Sequence, residues 1–260
     1  MGAATTTEAV LRIVLSYSKT GPARYLGHLD LLRTFQRAVR RAGLPIAYSK
    51  GFNPHPRMMF ASPLPVGAAG LGELAAMDLA EHTDPRALAG RLNSALPGGV
   101  CVNEAWVAPL ARGTFGAEIT SVWSVRVAAP EETPPGAVDW QSALAGLLGA
   151  AELRVERSGG KVRDVRDRLL GLSVEEECGR EAVIEMVLLQ KDELSAKPLD
   201  VVCALEKRVG PLKVVSLERR AVTADSAQSG GGGRLSESPA ANARDASRAS
   251  DAKSRARGGE

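Results

Sequence analysis

The sequence passes twice through the same order of strand-like and helix-like segments, and this repeat constrains the fold more than any other feature. In the first pass, branched apolar residues predict a strand over 11–18 and helically spaced apolar residues predict a helix over 30–42. Two further strands, a helix and a last strand follow up to residue 107. A second pass, without visible residue identity to the first, runs from 119 to 221.

Each pass has the order β-α-β-β-α-β, which predicts an α+β fold of two tandem ferredoxin-like units with antiparallel sheets. We place the first domain at residues 10–109 and a second, divergent domain at 117–222. Within the second, KVRDVRDRLLG at 161–171 fits either a strand or a short amphipathic helix. Residues 223–260 are rich in Ser, Gly, Ala, Asp and Arg, a composition that predicts a disordered tail.

Local signals place the helix ends. Gly43 and Pro45 predict the end of the first helix, because glycine adopts the left-handed conformation and proline prevents the helix from resuming. Asp30 is suited to its cap or first turn. Asp84 and Pro85 have the residue types of the cap and first turn of the second helix.

Positive charge is concentrated between Gly21 and Arg57. Seven Lys or Arg and one acidic residue give this segment a net charge of +6, so in a chain whose total is +3 the remaining residues sum to −3. A local cluster of this kind attracts and holds a phosphate-bearing partner, whereas the whole-chain charge gives no general affinity for polyanions.

The same segment carries the side chains that nucleic-acid binding requires. Arg and Lys neutralise phosphates, aromatic and imidazole rings stack on bases, and Ser and Asn reach base edges. Pro54 and Pro56 are expected to hold Asn53 and His55 in extended geometry. The predicted binding residues are Arg24, Tyr25, Arg33, Arg37, Arg40, Arg41, Tyr48, Ser49, Lys50, Phe52, Asn53, His55 and Arg57.

Two other interpretations of these residues stay open. An arginine row on a solvated helix face, followed by a rigid connecting loop, has a purely structural explanation. If the chain is instead an enzyme, His28 or His55 would move a proton and Lys50 would stabilise developing charge in a metal-independent RNA cleavage.

Several kinds of site lack their signatures. Phosphate-cradling GxxxxGK[ST], GxGxxG after a strand, HExxH and GxSxG are all absent. The three cysteines are far apart among apolar residues, so we expect buried thiols rather than disulfides, a zinc site or an iron–sulfur cluster. Without a signal-peptide pattern or an apolar run of 18 residues, the sequence predicts a cytoplasmic protein with no membrane contact.

The run from Arg24 to Gly67 reads RYLGHLDLLRTFQRAVRRAGLPIAYSKGFNPHPRMMFASPLPVG and resembles the radical SAM-linked proteins. This is a bacterial family of unknown function, whose members are encoded beside a radical SAM protein or fused to its C-terminus. The likeness extends from about residue 11 to about residue 222. The residues on the family motif are Arg24, Tyr25, His28, Asp30, Arg37, Gly43, Ser49, Lys50, Gly51, Phe52, Asn53, Pro54, His55, Pro56 and Ser62.

The resemblance implies association with radical SAM chemistry on another protein. That partner would carry the iron–sulfur cluster and S-adenosylmethionine, since this chain has no CxxxCxxC motif and is expected to hold no cofactor. We therefore expect an accessory protein, not an enzyme by itself, that binds tRNA or ribosomal RNA and presents it to a radical SAM modifying enzyme encoded nearby. The alternatives are an RNA-processing endoribonuclease and a protein module that docks on the radical SAM partner.

Overall fold

The computed structural model describes residues 8–110, 113–157, 160–191 and 194–224. Over these ranges the chain has a mixed α+β structure with four α-helices and mostly antiparallel β-sheet. None of the helices described is long and apolar enough to cross a lipid bilayer. The chain forms two compact units, one of residues 8–119 with 217–224 and the other of residues 120–216.

The first unit contains four strands and two α-helices of its own. They follow one another as β1 (Leu11–Lys19), α1 (His28–Arg41), β2 (Met58–Phe60), β3 (Ala69–Leu79), α2 (Pro85–Asn93) and β4 (Val100–Ala108), with a short 3-10 helix at Gly21–Tyr25. Strand β1 is antiparallel to both β3 and β4, and β2 is antiparallel to β3. The strands therefore lie in the order β2-β3-β1-β4.

Both helices pack on one face of this sheet. Leu31, Phe35 and Val39 of α1 are buried with Leu88 and Leu92 of α2 in the same apolar cluster. The sheet contributes alternate residues of its strands to this cluster, among them Ile13, Leu15, Tyr17, Ala75 and Met77. The residues between them, such as Val14 and Ala76, belong to a separate cluster on the opposite face.

The ends of α1 agree partly with the prediction. Gly43 follows the C-cap residue Ala42 with φ +58°, which confirms the predicted stop. The helix begins at His28 with Gly27 at the N-cap, so Asp30 lies in the first turn and is not the cap. In α2 the Asp84 side chain accepts a 2.8 Å hydrogen bond from the amide of Ala87, which confirms the predicted cap.

The second unit contains the remaining elements. They are most of β5 (Glu118–Ala128), α3 (Trp140–Leu148), β6 (Arg154–Arg157), β7 (Lys161–Asp164), β8 (Leu169–Cys178), β9 (Glu181–Lys191), β10 (Leu194–Ser195), α4 (Pro198–Val209) and the start of β11 (Lys213–Ala224). Strand β9 lies between β5 and antiparallel β8, while β6 and β7 form a separate hairpin. The ambiguous stretch 161–171 is β7, a 3-10 turn at Arg166–Arg168 and the start of β8.

Two expectations are wrong. Thr223 and Ala224, which we assigned to the tail, continue β11; residues 225–260 lie outside the described residues. Cys101, Cys178 and Cys203 are all exposed rather than buried. Cys101 takes an exposed position in β4, where burial alternates from Val100 to Val102, so apolar neighbours in sequence did not predict burial of the thiol.

Candidate nucleic-acid interface

Helix α1 presents a row of arginines on its exposed side. Its apolar residues recur three and four positions apart and are buried, so the intervening positions face solvent. The exposed residues of the row are Arg33, Arg37, Arg40 and Arg41.

The arginines of this row differ in how far they are engaged by neighbouring groups. Arg33 lies 3.4 Å from Asp30, Arg37 donates a 3.3 Å hydrogen bond to the Thr34 hydroxyl, and Arg41 donates to the carbonyl oxygen of Ala95. In the described ranges the side chain of Arg40 has no hydrogen bond or ion pair. The charge most available to an external phosphate is therefore in the C-terminal half of α1.

A further arginine, which the sequence prediction missed, lies at the C-terminal end of α1. Arg91 of α2 donates from Nε to the carbonyl of Ala42 at 3.0 Å and from Nη2 to that of Gly43 at 2.8 Å. A helix C-terminus carries unpaired carbonyls and a partial negative charge. Arg91 donates hydrogen bonds to these carbonyls, and its positive charge interacts favourably with the helix end. Since Arg91 lies 49 and 48 positions from Ala42 and Gly43, the local sequence pattern contained no signal for this contact.

The segment from Ser49 to His55 is a closed loop. The Ser49 amide donates to the His55 carbonyl at 2.9 Å, and the His55 amide donates to the Ser49 hydroxyl at 3.0 Å. A backbone bridge between Tyr48 and Pro56 continues this pairing. At the tip, Lys50 and Asn53 are exposed and Phe52 has 110 % of its reference surface accessible.

The loop and the C-terminal half of α1 lie at the same end of the first unit. Ile46 bridges to Leu79, the last residue of β3, and it lies only five positions beyond Arg41. The chain thus turns from the end of α1 directly into the loop. The structure therefore brings Arg37, Arg40, Arg41, Lys50, Phe52 and Asn53 to one end of the unit.

Arg24, Tyr25 and His28 lie at the other end of α1. A helix of 14 residues separates its ends by about 20 Å. The Arg24 guanidinium stacks 4.8 Å above the Tyr25 ring and donates a 2.7 Å hydrogen bond to its hydroxyl. The His28 ring packs edge-on against Phe60, with ring centroids 5.6 Å apart, whereas His55 lies in the loop that follows the other end of α1.

Arg57 and Tyr48 are also not grouped with the exposed arginines. Arg57 lies 2.8 Å from a carboxylate oxygen of Asp78, which is completely buried and also binds Arg12 at 2.6 Å. Arg12 and Asp78 are paired residues on the sheet face opposite α1, since their neighbours Ile13 and Met77 face the helices. Tyr48 is half-buried against the helix-side core.

A buried polar group near the N-terminal end of α1 was not predicted. Arg219 donates from Nε to Glu73 at 2.7 Å and from Nη2 to the Ser62 carbonyl at 3.0 Å, and Lys19 donates to the Leu26 carbonyl at 3.0 Å. Burial lowers the pKa of Lys19. Burial, and after it the charge of Glu73, raises the pKa of Tyr17 well above its ordinary value. The sequence did contain a signal for this cluster: Lys19 and Glu73 are charged residues in two mostly apolar strands, β1 and β3.

Comparisons with known proteins identify one family. A family model described as "Uncharacterized protein conserved in bacteria (DUF2344)" matches residues 12–198. A comparison with curated proteins finds no match.

Solved structures give only distant likenesses. A crystal structure of a Cbf5-Nop10-Gar1 complex shares 10% identity over 80% of this chain, with a TM-score of 0.46, and the match spans 47% of that chain, about half its length. An encapsulated DyP-type peroxidase from Mycobacterium smegmatis (11% identity, 85% of this chain and 94% of that chain) has a TM-score of 0.21. A DyP-type peroxidase protein from Shewanella oneidensis (8%, 84% and 94%) has a TM-score of 0.22. These scores carry no conclusion about function.

Proposed function

The chain belongs to the DUF2344 family of proteins conserved in bacteria, and on that premise we propose that it is an accessory RNA-binding protein. It binds tRNA or ribosomal RNA through its first unit and presents the RNA to a separately encoded radical SAM modifying enzyme. The partner carries the iron–sulfur cluster and S-adenosylmethionine. The association with radical SAM chemistry is supported by the likeness of the run from Arg24 to Gly67 to the radical SAM-linked proteins.

We also propose that both units are ferredoxin-like. In the first unit this is supported by the element order, by the strand order β2-β3-β1-β4 and by the two helices on one face. In the second unit it is supported by the position of β9 between β5 and β8.

One observation carries the RNA-binding proposal: exposed cations without internal partners lie at one end of the first unit. Arg40 and Lys50 are exposed, and neither has an ion pair or side-chain hydrogen bond within the described ranges. Between Asp30 and Glu73 the sequence has no acidic residue at all. Cations that the protein does not neutralise gain most from an external phosphate, because each contact releases counterions from the nucleic acid.

The test is binding of total tRNA, measured by fluorescence anisotropy between about 50 and 200 mM salt. We expect affinity to fall with salt, and the double substitution Arg40→Ala and Lys50→Ala to reduce the slope of log K against log salt by about 1.5 to 2. Arg86→Ala is the matched control, because Arg86 is an exposed arginine on α2. Binding that is insensitive to salt, or equal effects of control and double substitution, would refute the proposal.

A second experiment separates RNA presentation from the alternatives. The protein is used to capture the neighbouring radical SAM gene product, with and without RNase. If RNase leaves the complex intact and Arg40→Ala with Lys50→Ala disrupts it, the basic end docks on the partner protein instead. RNA cleavage in EDTA that is lost in His28→Ala or His55→Ala would identify an endoribonuclease. His28 begins α1, and His55 lies in the loop after α1.

A further inference from the structure

Phe52 is an apolar ring held entirely in solvent on a closed loop. Burying a Phe side chain is worth about 1.5 to 3 kcal/mol, and this position forgoes all of it. The loop cannot fold back easily, because Ser49 and His55 exchange two hydrogen bonds and Pro54 and Pro56 restrict the returning chain. An exposed ring on a restrained support loses little conformational entropy when a ligand covers it.

The groups around the ring indicate what covers it. Lys50 is two positions away, at most about 7 Å between Cα atoms, and is exposed. Asn53 follows the ring and is also exposed. A planar apolar surface with a cation and an amide within reach matches one nucleotide, whose base stacks on the ring, whose phosphate meets the ammonium and whose base edge accepts or donates hydrogen bonds.

We infer that Phe52 stacks on a single unpaired base, so that the substrate class is RNA with an unpaired nucleotide in a loop, a bulge or at a strand end. This rests on the proposed function and narrows it. A base inside a continuous duplex has both faces covered by its neighbours, and a ring on a loop tip reaches only a base that has left the stack.

The number of bases is one because the other predicted rings are placed elsewhere. Tyr48 is half-buried against the core, and Tyr25 stacks with Arg24 at the far end of α1. At the same end, His28 packs against Phe60. A running single strand requires successive stacking rings, and the described residues at the loop end present Phe52 with only the His55 imidazole near the base of the loop.

The test compares two RNA duplexes with the same base pairs. One is fully paired, and the other has one additional, unpaired nucleotide that forms a bulge. Their charges are nearly equal, so phosphate contacts contribute equally to both. One stacked base is worth about 1 to 3 kcal/mol, and we expect the intact chain to bind the bulged duplex about 5- to 150-fold more tightly. We expect Phe52→Ala to remove this preference and Phe52→Trp to keep it.

Val66→Ala is the control, since Val66 is an exposed apolar residue outside the loop, and it is expected to keep the preference. Equal affinity of the intact chain for both duplexes overturns this inference alone. So does a loss in Phe52→Ala that is the same for both RNAs, or Phe52-dependent binding to vesicles of anionic phospholipid without any preference between the RNAs. If neither duplex shows salt-dependent binding, the proposed function fails and this inference fails with it.

Discussion

Glu73 and Arg219 lie 146 positions apart in sequence and meet inside the first unit as a buried ion pair. Both are almost completely buried, with 1% and 3% of their surface exposed. Two charges removed from water stabilise a fold only while each compensates the other. Arg219 also donates to the Ser62 carbonyl, so its guanidinium links the segment after β2 to β3.

We expect Arg219→Met to lower the free energy of unfolding by about 3 to 5 kcal/mol, because the Glu73 carboxylate is left buried without its partner. Urea denaturation measures the change. Arg220→Met is the matched control on the same strand, since the Arg220 side chain is 39% exposed and lies 3.9 Å from Glu218, an arrangement worth about 1 kcal/mol or less. Similar losses in the two variants would show that the buried Glu73–Arg219 pair contributes no more to the free energy of unfolding than the exposed pair.

Cys203 is predicted to be the least reactive of the three exposed thiols. Cys203 lies within α4, and partial burial of its thiol, followed by the charges of Glu206 and Asp200, raises its pKa. A raised pKa lowers the fraction of thiolate, which is the reactive form, at every pH below it. Alkylation with iodoacetamide at about pH 8, followed by mass spectrometry, should modify Cys203 more slowly than Cys101 or Cys178, and the difference should narrow as the pH rises.

Glu206→Gln provides the control for this prediction. It removes the negative charge but keeps the oxygen that accepts a 3.0 Å hydrogen bond from the Leu212 amide, so the end of α4 stays capped. We expect the modification of Cys203 to become faster. An unchanged rate would mean that burial alone, and not the neighbouring carboxylate, determines the pKa of this thiol.

At the level of secondary-structure elements, sequence predicted what depends on neighbours along the chain. The buried spacing of Leu31, Phe35 and Val39, the glycine stop at Gly43 and the cap at Asp84 are each decided within one or two helical turns. The contact of Arg91 with the end of α1 was not predictable, because it depends on how two helices cross. For the candidate site, sequence identified the basic row and the loop but could not show that Arg57 turns to Asp78 on the other face.

Strand β3 approaches β11 closely at a glycine, and this position gives a test of the pairing. A Cβ atom on Gly72 would lie 2.8 Å from the carbonyl oxygen of Arg220, which is backbone and cannot move aside as a side chain can. We expect Gly72→Ala to cost about 1 to 3 kcal/mol in the free energy of unfolding. The measurement is urea denaturation of the full chain.

Gly90→Ala is the matched control for the Gly72 substitution. Gly90 lies inside α2, and an added Cβ there would meet nothing within 4 Å. Alanine is the better helix former, so we expect a gain of about 0.5 to 1 kcal/mol. If both substitutions stabilise the chain, β11 does not approach Gly72 closely enough to exclude a Cβ atom, and the prediction is wrong.

At the scale of the whole molecule, the end of the last strand, β11, is part of the same compact unit as the first half of the chain. Residues 217–224 group with residues 8–119, and within that unit Glu218 and Arg219 pair in parallel with Ala69 and Gly70 of β3. The order of elements along the sequence does not reveal this grouping, because parallel neighbours far apart in the chain carry no shared local pattern. The predicted boundaries at 109 and 117 therefore remain a prediction from local pattern alone, whereas the boundary at 222 falls two residues before the end of β11.

We predict that a chain ending at Ser216 loses stability in its first unit, whereas a chain ending at Ala224 keeps it. The shorter chain lacks the parallel partner of β3, the guanidinium that pairs with Glu73, and two residues of the core opposite the helices, Val222 and Ala224. Hydrogen exchange of the amides in β3 reports on this unit directly, since exchange follows the free energy of opening. We expect faster exchange over residues 69–79 in the chain ending at Ser216 and unchanged exchange in the chain ending at Ala224. Equal protection in both chains would show that the first unit folds without the last strand, and that Arg219 does not stabilise it.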